Sequence, residues 1–350
     1  MFAQMISPRR SVKAAVFLAA AALIAAAPPA AAQAGEEAGF QGYLQLLAAR
    51  ARAEGVSDAT IRRMTAGLTF NPRVIALDRA QPGASSSAGP PPFAPYRRQH
   101  VDAARINGGR RMQQQVAPLL PGIEAKYGVP GKILLAIWGH ETNYGSYTGD
   151  FDLARSLATL AYEGRRRELF AGEFIALLKI AERGVPRERL KGSWAGAFGN
   201  PQFLPSVYLS TAVDGDGDGE RNIWTSRADT LASIANYFRQ AGWRQGEPWG
   251  VAAAVPRGFD WSAVTNRLVS PSCPAVYARH SGWRTVAEWR RLGVTPLAGI
   301  GDTTLAALFQ PDGPGTPAFL LTGNYRVILQ YNCSNYYALS VGLLADEIAR

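Results

Sequence analysis

The stretch that decides the fold, residues 130–145, reads PGKILLAIWGHETNYG. Its proline suits the start of a helix, and the residues that follow form an almost unbroken apolar run. This pattern predicts a buried helix that has Pro130 in its first turn and ends where glycine breaks it. Glu141 is the carboxylate at the far end of this helix.

Glu141 has the setting of a general acid. Apolar surroundings penalise the charged form of a carboxyl group, so its pKa is expected to rise toward neutral pH, where it can donate a proton. The alternative is a structural role in which Glu141 only pairs with a nearby arginine. A zinc-peptidase motif is excluded, because position 144 is tyrosine where the second histidine is needed and the chain has three histidines in all.

The N-terminus has the three-part pattern of a secretory signal peptide. Three basic residues precede an apolar run over 14–27, and residues 32–34 read Ala-Gln-Ala. The run is short for a membrane span, and prolines end it. We therefore expect residues 1–34 to be removed on export and residues 35–350 to act in the periplasm. No cysteine lies near the cleavage site, which argues against a lipid anchor.

The chain is basic, with 37 Lys+Arg against 27 Asp+Glu. Removing residues 1–34 takes away three basic and no acidic residues, which leaves 34 − 27 = +7. An exported basic protein suits wall polymer with acidic peptide stems or anionic lipid headgroups, and we do not expect nucleic acid as a partner. Its 350 residues can bury a substantial core in one large domain or two smaller ones.

The chain has two cysteines, Cys273 and Cys333, and both lie in the exported part. An oxidising compartment would let them pair, so we expect one disulfide. Two unpaired buried thiols remain the alternative, because the sequence does not give the distance between their Cα atoms.

The rest of the chain is mostly helical in pattern. Helical spacing extends over residues 36–80, 98–128, 165–183, 230–241 and 336–350. A Pro/Gly/Ser-rich stretch at 81–96 is expected to form an exposed loop, and the part after residue 248 is mixed. The predicted fold class is therefore mainly α with a small irregular or β-containing portion.

A second informative segment, residues 193–206, reads SWAGAFGNPQFLPS. Its small residues and turn formers allow close backbone approach, while Gln202 offers donors and acceptors beside aromatic rings. Such mixtures are typical of sugar-binding sites. The alternative is a tight turn between helices whose aromatic rings only pack.

A third segment, residues 214–224, reads DGDGDGERNIW and has the start of an EF-hand calcium loop. The acids at loop positions 1, 3 and 5 are Asp214, Asp216 and Asp218. Glu220 at position 7 would contribute its backbone carbonyl, but position 12, where a bidentate acid is expected, is Thr225. Asp229 either closes a longer loop or only caps the next helix. A solvated acidic turn is the alternative for the whole segment.

Together these segments resemble the periplasmic lytic murein transglycosylases of the B type, glycoside hydrolase family 103. The resemblance rests on the run that ends at Gly145, on AGAFG followed by QFLPS, and on DGDGDG followed by Trp224. Further matches lie at residues 234–243 and 324–337, so it covers roughly residues 36–350.

The resemblance implies a lysozyme-like helical core with an additional helical region and a calcium loop at 214–229. It implies structural Ca²⁺ and no organic cofactor, peptidoglycan strands as substrate, cell-wall synthesis machinery as a partner, and a monomer. The implied reaction cleaves the β-1,4 bond between N-acetylmuramic acid and N-acetylglucosamine without water. Glu141 acts first as acid and then as base, and a 1,6-anhydro ring closes.

Other residues take roles from the same resemblance. The implied substrate contacts are Ser193, Gln202, Phe203, Tyr331, Asn332 and Tyr337, with Tyr144 as a weaker candidate. The sequence departs from the family at Asn200-Pro201, where Met or Tyr followed by glycine is common, and the calcium loop is one residue longer before its closing acid.

Two other functions stay open at this point. A hydrolytic muramidase would need a second carboxylate across the scissile bond, and Asp150, Asp152 and Glu163 are near Glu141 in sequence, although their spacing selects none of them. A catalytically silent peptidoglycan-binding protein would keep the groove without turnover.

Overall fold

The computed structural model describes residues 30–81 and 91–350, with side chains from residue 34 onward. The expected signal peptide therefore falls almost entirely outside the described residues, as does most of the Pro/Gly/Ser-rich stretch. No helix within the described residues is long and apolar enough to cross a membrane.

Helices dominate the described chain. In chain order the helices are α1 (Ala30–Ala53), α2 (Asp58–Thr65), α3 (Pro72–Arg79), α4 (Phe93–His100), α5 (Ala103–Val116), α6 (Leu120–Tyr127), α7 (Gly131–Thr142), α8 (Leu153–Glu163), α9 (Arg167–Glu182), α10 (Pro205–Thr211), α11 (Arg227–Gln240), α12 (Pro274–Tyr277), α13 (Val286–Arg291), α14 (Gly323–Tyr331) and α15 (Asn335–Ile348). The strands are β1 (Phe151–Asp152), β2 (Lys191–Gly192), β3 (Gly250–Ala254), β4 (Arg284–Thr285), β5 (Thr295–Pro296), β6 (Leu305–Phe309) and β7 (Ala318–Leu321).

Helix α7 is the centre of the first helical unit. Ten of its twelve residues are buried, and it packs against α5, α11 and α15. Pro130 stands at its N-cap, one position before the first turn in which the sequence predicts it. The helix ends at Thr142 because Asn143 and Tyr144 adopt left-handed backbone with φ of 49° and 60°, so it stops three residues before Gly145.

A second helical unit is built from α1, α2, α3, α8, α9 and α10 around its own apolar core. Helices α8 and α9 form its most extensive contact. The buried carboxylate of Asp78 at the end of α3 pairs with Arg165 at 2.6 Å and Arg166 at 2.5 Å, which ties α3 to the start of α9. Paired in this way, a buried charge is tolerated.

The mixed portion contains a five-stranded antiparallel sheet in the order β4-β6-β7-β3-β5. Its buried face packs around the fully buried Trp289, which donates its indole N–H to Ala306 O at 2.9 Å. Cys273 and Cys333 form a disulfide with Cα atoms 6.0 Å apart, which joins the start of α12 to the chain after α14. The predicted fold class, mainly α with a small β-containing portion, is confirmed.

The loop expected at residues 81–96 is shorter than predicted. Helix α4 begins at Phe93, so the last four residues of that range are helical. Phe93 is buried with its ring 5.2 Å from that of Tyr336, and its backbone N–H donates to Asp312 at 2.6 Å. These distant partners fix the helix start, and local composition carries no sign of them.

Candidate active site

A cleft of about 630 Å³ opens at the C-terminal end of α7, and we call it the Glu141 cleft. Its walls come from α5, the chain after α7, the segment after β2 and the end of α14. The lining residues are Gln81, Asp102, Ala104, Arg105, His140, Glu141, Thr142, Asn143, Ser146, Tyr147, Gly149, Phe151, Ser193, Trp194, Ala195, Ala197, Gln202, Tyr331 and Asn332.

Glu141 lies at this cleft and is tuned as a proton donor. Burial raises its pKa to about 7, and a hydrogen bond from Tyr337 Oη to Oε1, at 2.6 Å, opposes that rise. The carboxyl therefore exchanges its proton near neutral pH, which a group acting as both acid and base requires. The sequence predicts that the pKa of Glu141 is raised, and the structure gives a shift in the same direction.

Tyr337 is placed by the first turn of α15, whose N-cap is Ser334. Its ring is buried and nearly parallel to that of Tyr331, with centroids 6.5 Å apart. Tyr331 in turn donates its hydroxyl to Pro201 O. Helix α14, helix α15 and the segment after β2 thus meet around the carboxyl of Glu141.

A column of four rings stands behind Glu141, and sequence reasoning did not find it. Tyr96 stacks on His100 with centroids 3.9 Å apart, His100 stacks on His140 at 4.9 Å, and His140 meets Tyr337 edge-on at 4.5 Å. Burial lowers the pKa of both histidines, so the column is neutral at neutral pH.

His140 is connected to helix α15 through Ser340. Its Nε2 lies within hydrogen-bond distance of Ser340 Oγ, at 2.7 Å, and Ser340 Oγ also donates to Tyr337 O at 2.9 Å. This chain of hydrogen bonds connects the imidazole to the backbone of Tyr337.

The segment after β2 forms the opposite wall through close backbone approach. A Cβ on Gly192 would lie 2.2 Å from Ala197 O, so only glycine fits there. Ser193 Oγ accepts from Ala197 N at 3.0 Å. Gln202 has a left-handed φ of 52°, and its side-chain amide donates to Thr148 O at 3.0 Å and to Gly199 O at 2.9 Å.

The structure brings most of the predicted sugar contacts to one place. Those that line the cleft are Ser193, Gln202, Tyr331 and Asn332, and Tyr337 reaches it through Glu141. Phe203 does not line it, because its ring is buried beside Tyr331. Tyr144 does not line it either, since its hydroxyl donates to Arg105 O at 2.9 Å and its ring covers Gly139.

Aromatic residues of the cleft that the sequence analysis missed are Tyr147, Phe151 and Trp194. Trp194 is adjacent to Ser193 in the motif, so it was within reach of the same reasoning. Tyr147 is 65% exposed, which makes it available to a ligand entering the cleft.

The carboxylates considered as the second acid of a hydrolase do not line the Glu141 cleft. Asp152 caps α8 and pairs with Arg187 at 2.7 Å, Glu163 pairs with Arg79 at 3.2 Å, and Asp150 does not line the cleft. Among the described residues the cleft has one other carboxylate, Asp102, which the sequence analysis did not consider.

Asp102 is itself engaged at the start of α5. It accepts the backbone N–H of Arg105 at 2.9 Å and pairs with the guanidinium of the same residue at 2.6 Å. This geometry caps the helix and neutralises the charge of the carboxylate.

The acidic loop lies apart from the cleft. Carboxylate oxygens of Asp214, Asp216 and Asp218 come within 4.8 Å of one another, a donor set that suits a hard cation such as calcium. Hydrogen bonds from the backbone N–H groups of Gly219 and Gly217 lower the pKa of Asp214, so it is charged at neutral pH.

Asp229 holds the two ends of the acidic loop together. Its buried carboxylate accepts the backbone N–H groups of Gly215 at 2.7 Å and Asn222 at 2.5 Å, which connects the two ends of the loop. Burial raises the pKa of Asp229. Glu220 is exposed, in line with a role limited to its backbone.

Comparison with known proteins gives the family. The family profile described as transglycosylase SLT domain matches residues 39–346. The chain belongs to this family. Membrane-bound lytic murein transglycosylase B of Escherichia coli (strain K12) is 32% identical over 263 residues, 73% of this chain. The match spans 66% of that relative's length.

Solved structures of SLT-type transglycosylases agree with this membership. SltB3 of Pseudomonas aeruginosa, in complex with NAG-anhNAM-pentapeptide, is 39% identical with a TM-score of 0.79, covering 89% of this chain and 79% of that one. Escherichia coli SLT35 in complex with calcium is 27% identical with a TM-score of 0.70, covering 89% and 93%. The family resemblance and the lysozyme-like helical fold predicted from the sequence are confirmed.

Proposed function

We propose that this protein is a lytic murein transglycosylase that cleaves the β-1,4 bond between N-acetylmuramic acid and N-acetylglucosamine and leaves 1,6-anhydro ends. One observation carries the proposal: a carboxyl group of pKa about 7, hydrogen-bonded to a buried tyrosine, lies at a cleft large enough for sugar rings. Family membership supports the same reaction.

In the first step, protonated Glu141 donates its proton to the glycosidic oxygen as the bond from that oxygen to C1 of the muramic acid breaks. In the second step, the carboxylate accepts the proton of the 6-hydroxyl as O6 forms a bond to the same C1. Glu141 regains its proton and no water is consumed. The hydrogen bond from Tyr337 stabilises the carboxylate between the two steps.

Substrate contacts are proposed for the polar groups that line the cleft. Gln202 and Asn332 offer amide groups, Ser193 a hydroxyl, and the ring of Tyr331 an apolar face beside them. Phe203 and Tyr144 act indirectly, the first by backing the ring of Tyr331 and the second by filling the space over Gly139.

A hydrolytic muramidase is the second candidate, because Asp102 also lines the cleft. Its ion pair with Arg105 and its place at the cap of α5 disfavour a role as nucleophile or base. The third candidate is a catalytically silent wall-binding protein. Such a protein has no need of a carboxyl group with a raised pKa, so the pKa of Glu141 disfavours it.

Digestion of purified sacculi separates these functions. The proposal expects soluble muropeptides with 1,6-anhydro ends from the wild-type protein and none from the Glu141→Gln variant. Muropeptides with reducing muramic acid ends would indicate hydrolysis. Binding to sacculi without soluble products would indicate a wall-binding protein.

We propose further that Asp214, Asp216 and Asp218 bind a structural Ca²⁺, with the backbone carbonyl of Glu220 as another ligand. The donor chemistry of the three carboxylates supports this, as does the calcium complex of the relative SLT35. Asp229 completes the site, either as a ligand or by holding the two ends of the loop.

We propose that the mature chain, residues 35–350, acts in the periplasm as a monomer after removal of the signal peptide. The basic charge of the chain and its peptidoglycan substrate support this location. Cell-wall synthesis machinery is the proposed protein partner. Mass analysis of protein recovered from the periplasm tests the cleavage: a mature N-terminus near residue 35 supports it, and an uncleaved N-terminus contradicts it.

A further inference from the structure

A second cavity, of about 640 Å³, shares no lining residue with the Glu141 cleft. Its walls come from the last turn of α9, the chain that follows it, α10, and residues 219–224 of the acidic loop. Three arginines line it: Arg183, Arg189 and Arg221. We call it the arginine cavity.

The charges of these arginines converge on the cavity. Burial raises the pKa of Tyr208, which also lines the cavity, and all three arginines oppose that rise. Within the described residues, none of the three pairs with a carboxylate within 4.0 Å. The one carboxylate in the lining is Glu220, so the cavity keeps an excess of 3 − 1 = 2 positive charges.

The inner wall of the cavity is aromatic. The rings of Tyr208 and Trp224 are 5.6 Å apart, and the guanidinium of Arg189 lies 5.7 Å from the ring centroid of Trp224. This contact holds the positive charge of Arg189 beside an aromatic face of the cavity.

The arginine cavity is close to the Glu141 cleft. Arg189 precedes the cleft residue Ser193 by four residues, a separation that the chain spans in at most about 14 Å. Phe198, the neighbour of the cleft residue Ala197, stacks on Trp224 with centroids 5.5 Å apart. Parts of the two cavities therefore lie within the length of a short extended peptide of one another.

We propose that the arginine cavity binds a carboxylate of a peptide stem carried by the glycan strand that occupies the Glu141 cleft. This inference rests on the proposed function. The planar fork of arginine matches a carboxylate in two hydrogen bonds. A stem attached to a bound strand reaches the cavity at high effective concentration, an advantage that a free anion lacks. The enzyme therefore prefers strands that carry stems.

The test compares two substrates with one charge-removing variant. We expect Arg189→Gln with Arg221→Gln to lower kcat/KM on stem-bearing strands roughly fivefold, the scale of exposed ion pairs, and to leave kcat/KM unchanged on strands stripped of stems by an amidase. The matched control is Arg257→Gln with Arg267→Gln, which removes the same charge at exposed sites outside both cavities. We expect the control to change neither rate.

Three results would overturn the inference: no change on either substrate, an equal loss on both, or an equal loss in the control. A binding arm uses the Glu141→Gln protein with soluble stem peptide and, separately, inorganic phosphate. The inference expects the peptide to bind and the arginine variants to weaken it, whereas binding of phosphate alone contradicts it. Failure of the proposed function is visible separately, as a wild-type protein that yields no anhydro ends. Thermal midpoints of all variants report their folding.

Discussion

At the scale of the residue, the chemistry of this protein depends on how one carboxyl group is surrounded. Burial raises the pKa of Glu141 and the hydrogen bond from the phenol of Tyr337 lowers it, and the resulting pKa is about 7. The two residues are 196 positions apart in sequence, so no local pattern predicts their contact. The sequence predicts the raised pKa from the apolar helix, whereas Tyr337 enters only through family resemblance.

Replacing Tyr337 with Phe tests this balance. The hydrogen bond lowers the pKa of Glu141, so its removal raises that pKa above about 7. The alkaline limb of kcat/KM, where the acid loses its proton, is expected to move to higher pH by roughly one unit. A pH–rate profile measures this. An unchanged limb, or one that moves to lower pH, would show that Tyr337 does not tune Glu141.

Replacing Glu141 with Gln has a signature in stability as well as in activity. The folded pKa is about 7 against an ordinary value of 4.5 for glutamate, so the fold disfavours the charged form. Above pH 7 the variant is expected to be more stable than the wild type, by on the order of 3 kcal/mol. The gain falls as the pH drops from 7 and vanishes below the unfolded pKa, where both states are protonated. Denaturant unfolding at several pH values measures it, and a gain independent of pH contradicts the account.

His140→Leu tests the ring column. Without the hydrogen bond to Ser340 and the edge-on contact, Tyr337 is held less firmly against Glu141. We expect kcat to fall several-fold, KM to change little, and the alkaline limb to move in the direction of the Tyr337 variant but by less.

His280→Leu is the matched control for the ring column. It also removes a buried imidazole, whose Nε2 lies 2.7 Å from Oδ1 of Asn335, the first residue of α15. None of the ring contacts of His280 among the described residues involves Tyr337. We expect lower stability with an unchanged pH profile. If the alkaline limb moves equally in the two variants, His140 contributes only general packing and does not position Tyr337.

At the scale of the element, the sequence predicts the interior of a helix better than the residues at which the helix begins and ends. The apolar run fixes α7 as a buried helix, but its end is set by left-handed Asn143 and Tyr144, which fold the Tyr144 ring onto Gly139. Helix α4 likewise begins inside a predicted loop because Phe93 packs on Tyr336. Both boundaries depend on partners distant in sequence or on backbone geometry, which composition does not encode.

The acidic loop gives a prediction at this scale. Three converging carboxylates repel one another until a cation binds, so Ca²⁺ is expected to raise the thermal midpoint and a chelator to reverse the rise. At a concentration 100 times Kd the gain in free energy is about 2.7 kcal/mol. Scanning calorimetry measures it, and a wild-type midpoint that ignores Ca²⁺ contradicts the site.

Variants of the loop acids separate ligands from supports. Asp216→Asn is expected to lose most of the calcium-dependent rise. Asp229→Asn is expected to lower the midpoint even without Ca²⁺, because Asp229 connects both ends of the loop through backbone hydrogen bonds. If Ca²⁺ raises the thermal midpoint of Asp229→Asn as much as that of the wild type, Asp229 supports the loop and does not bind the ion.

At the scale of the whole molecule, the Glu141 cleft joins parts of the chain that no single segment reveals. The end of α7, the segment after β2 and the end of α14 each supply part of the lining. The three motifs could be read from the sequence because each has a distinctive local composition. The ring column and the arginine cavity could not be predicted in this way, since each is made by contacts between distant elements.

The central claim is that one carboxyl group closes an anhydro ring without water. Digestion of sacculi in water enriched in oxygen-18, followed by mass analysis of the muropeptides, tests it most directly. We expect 1,6-anhydro ends with no oxygen-18, formed by the wild-type protein and not by Glu141→Gln. Reducing muramic acid ends that carry oxygen-18 would contradict it and identify a hydrolase.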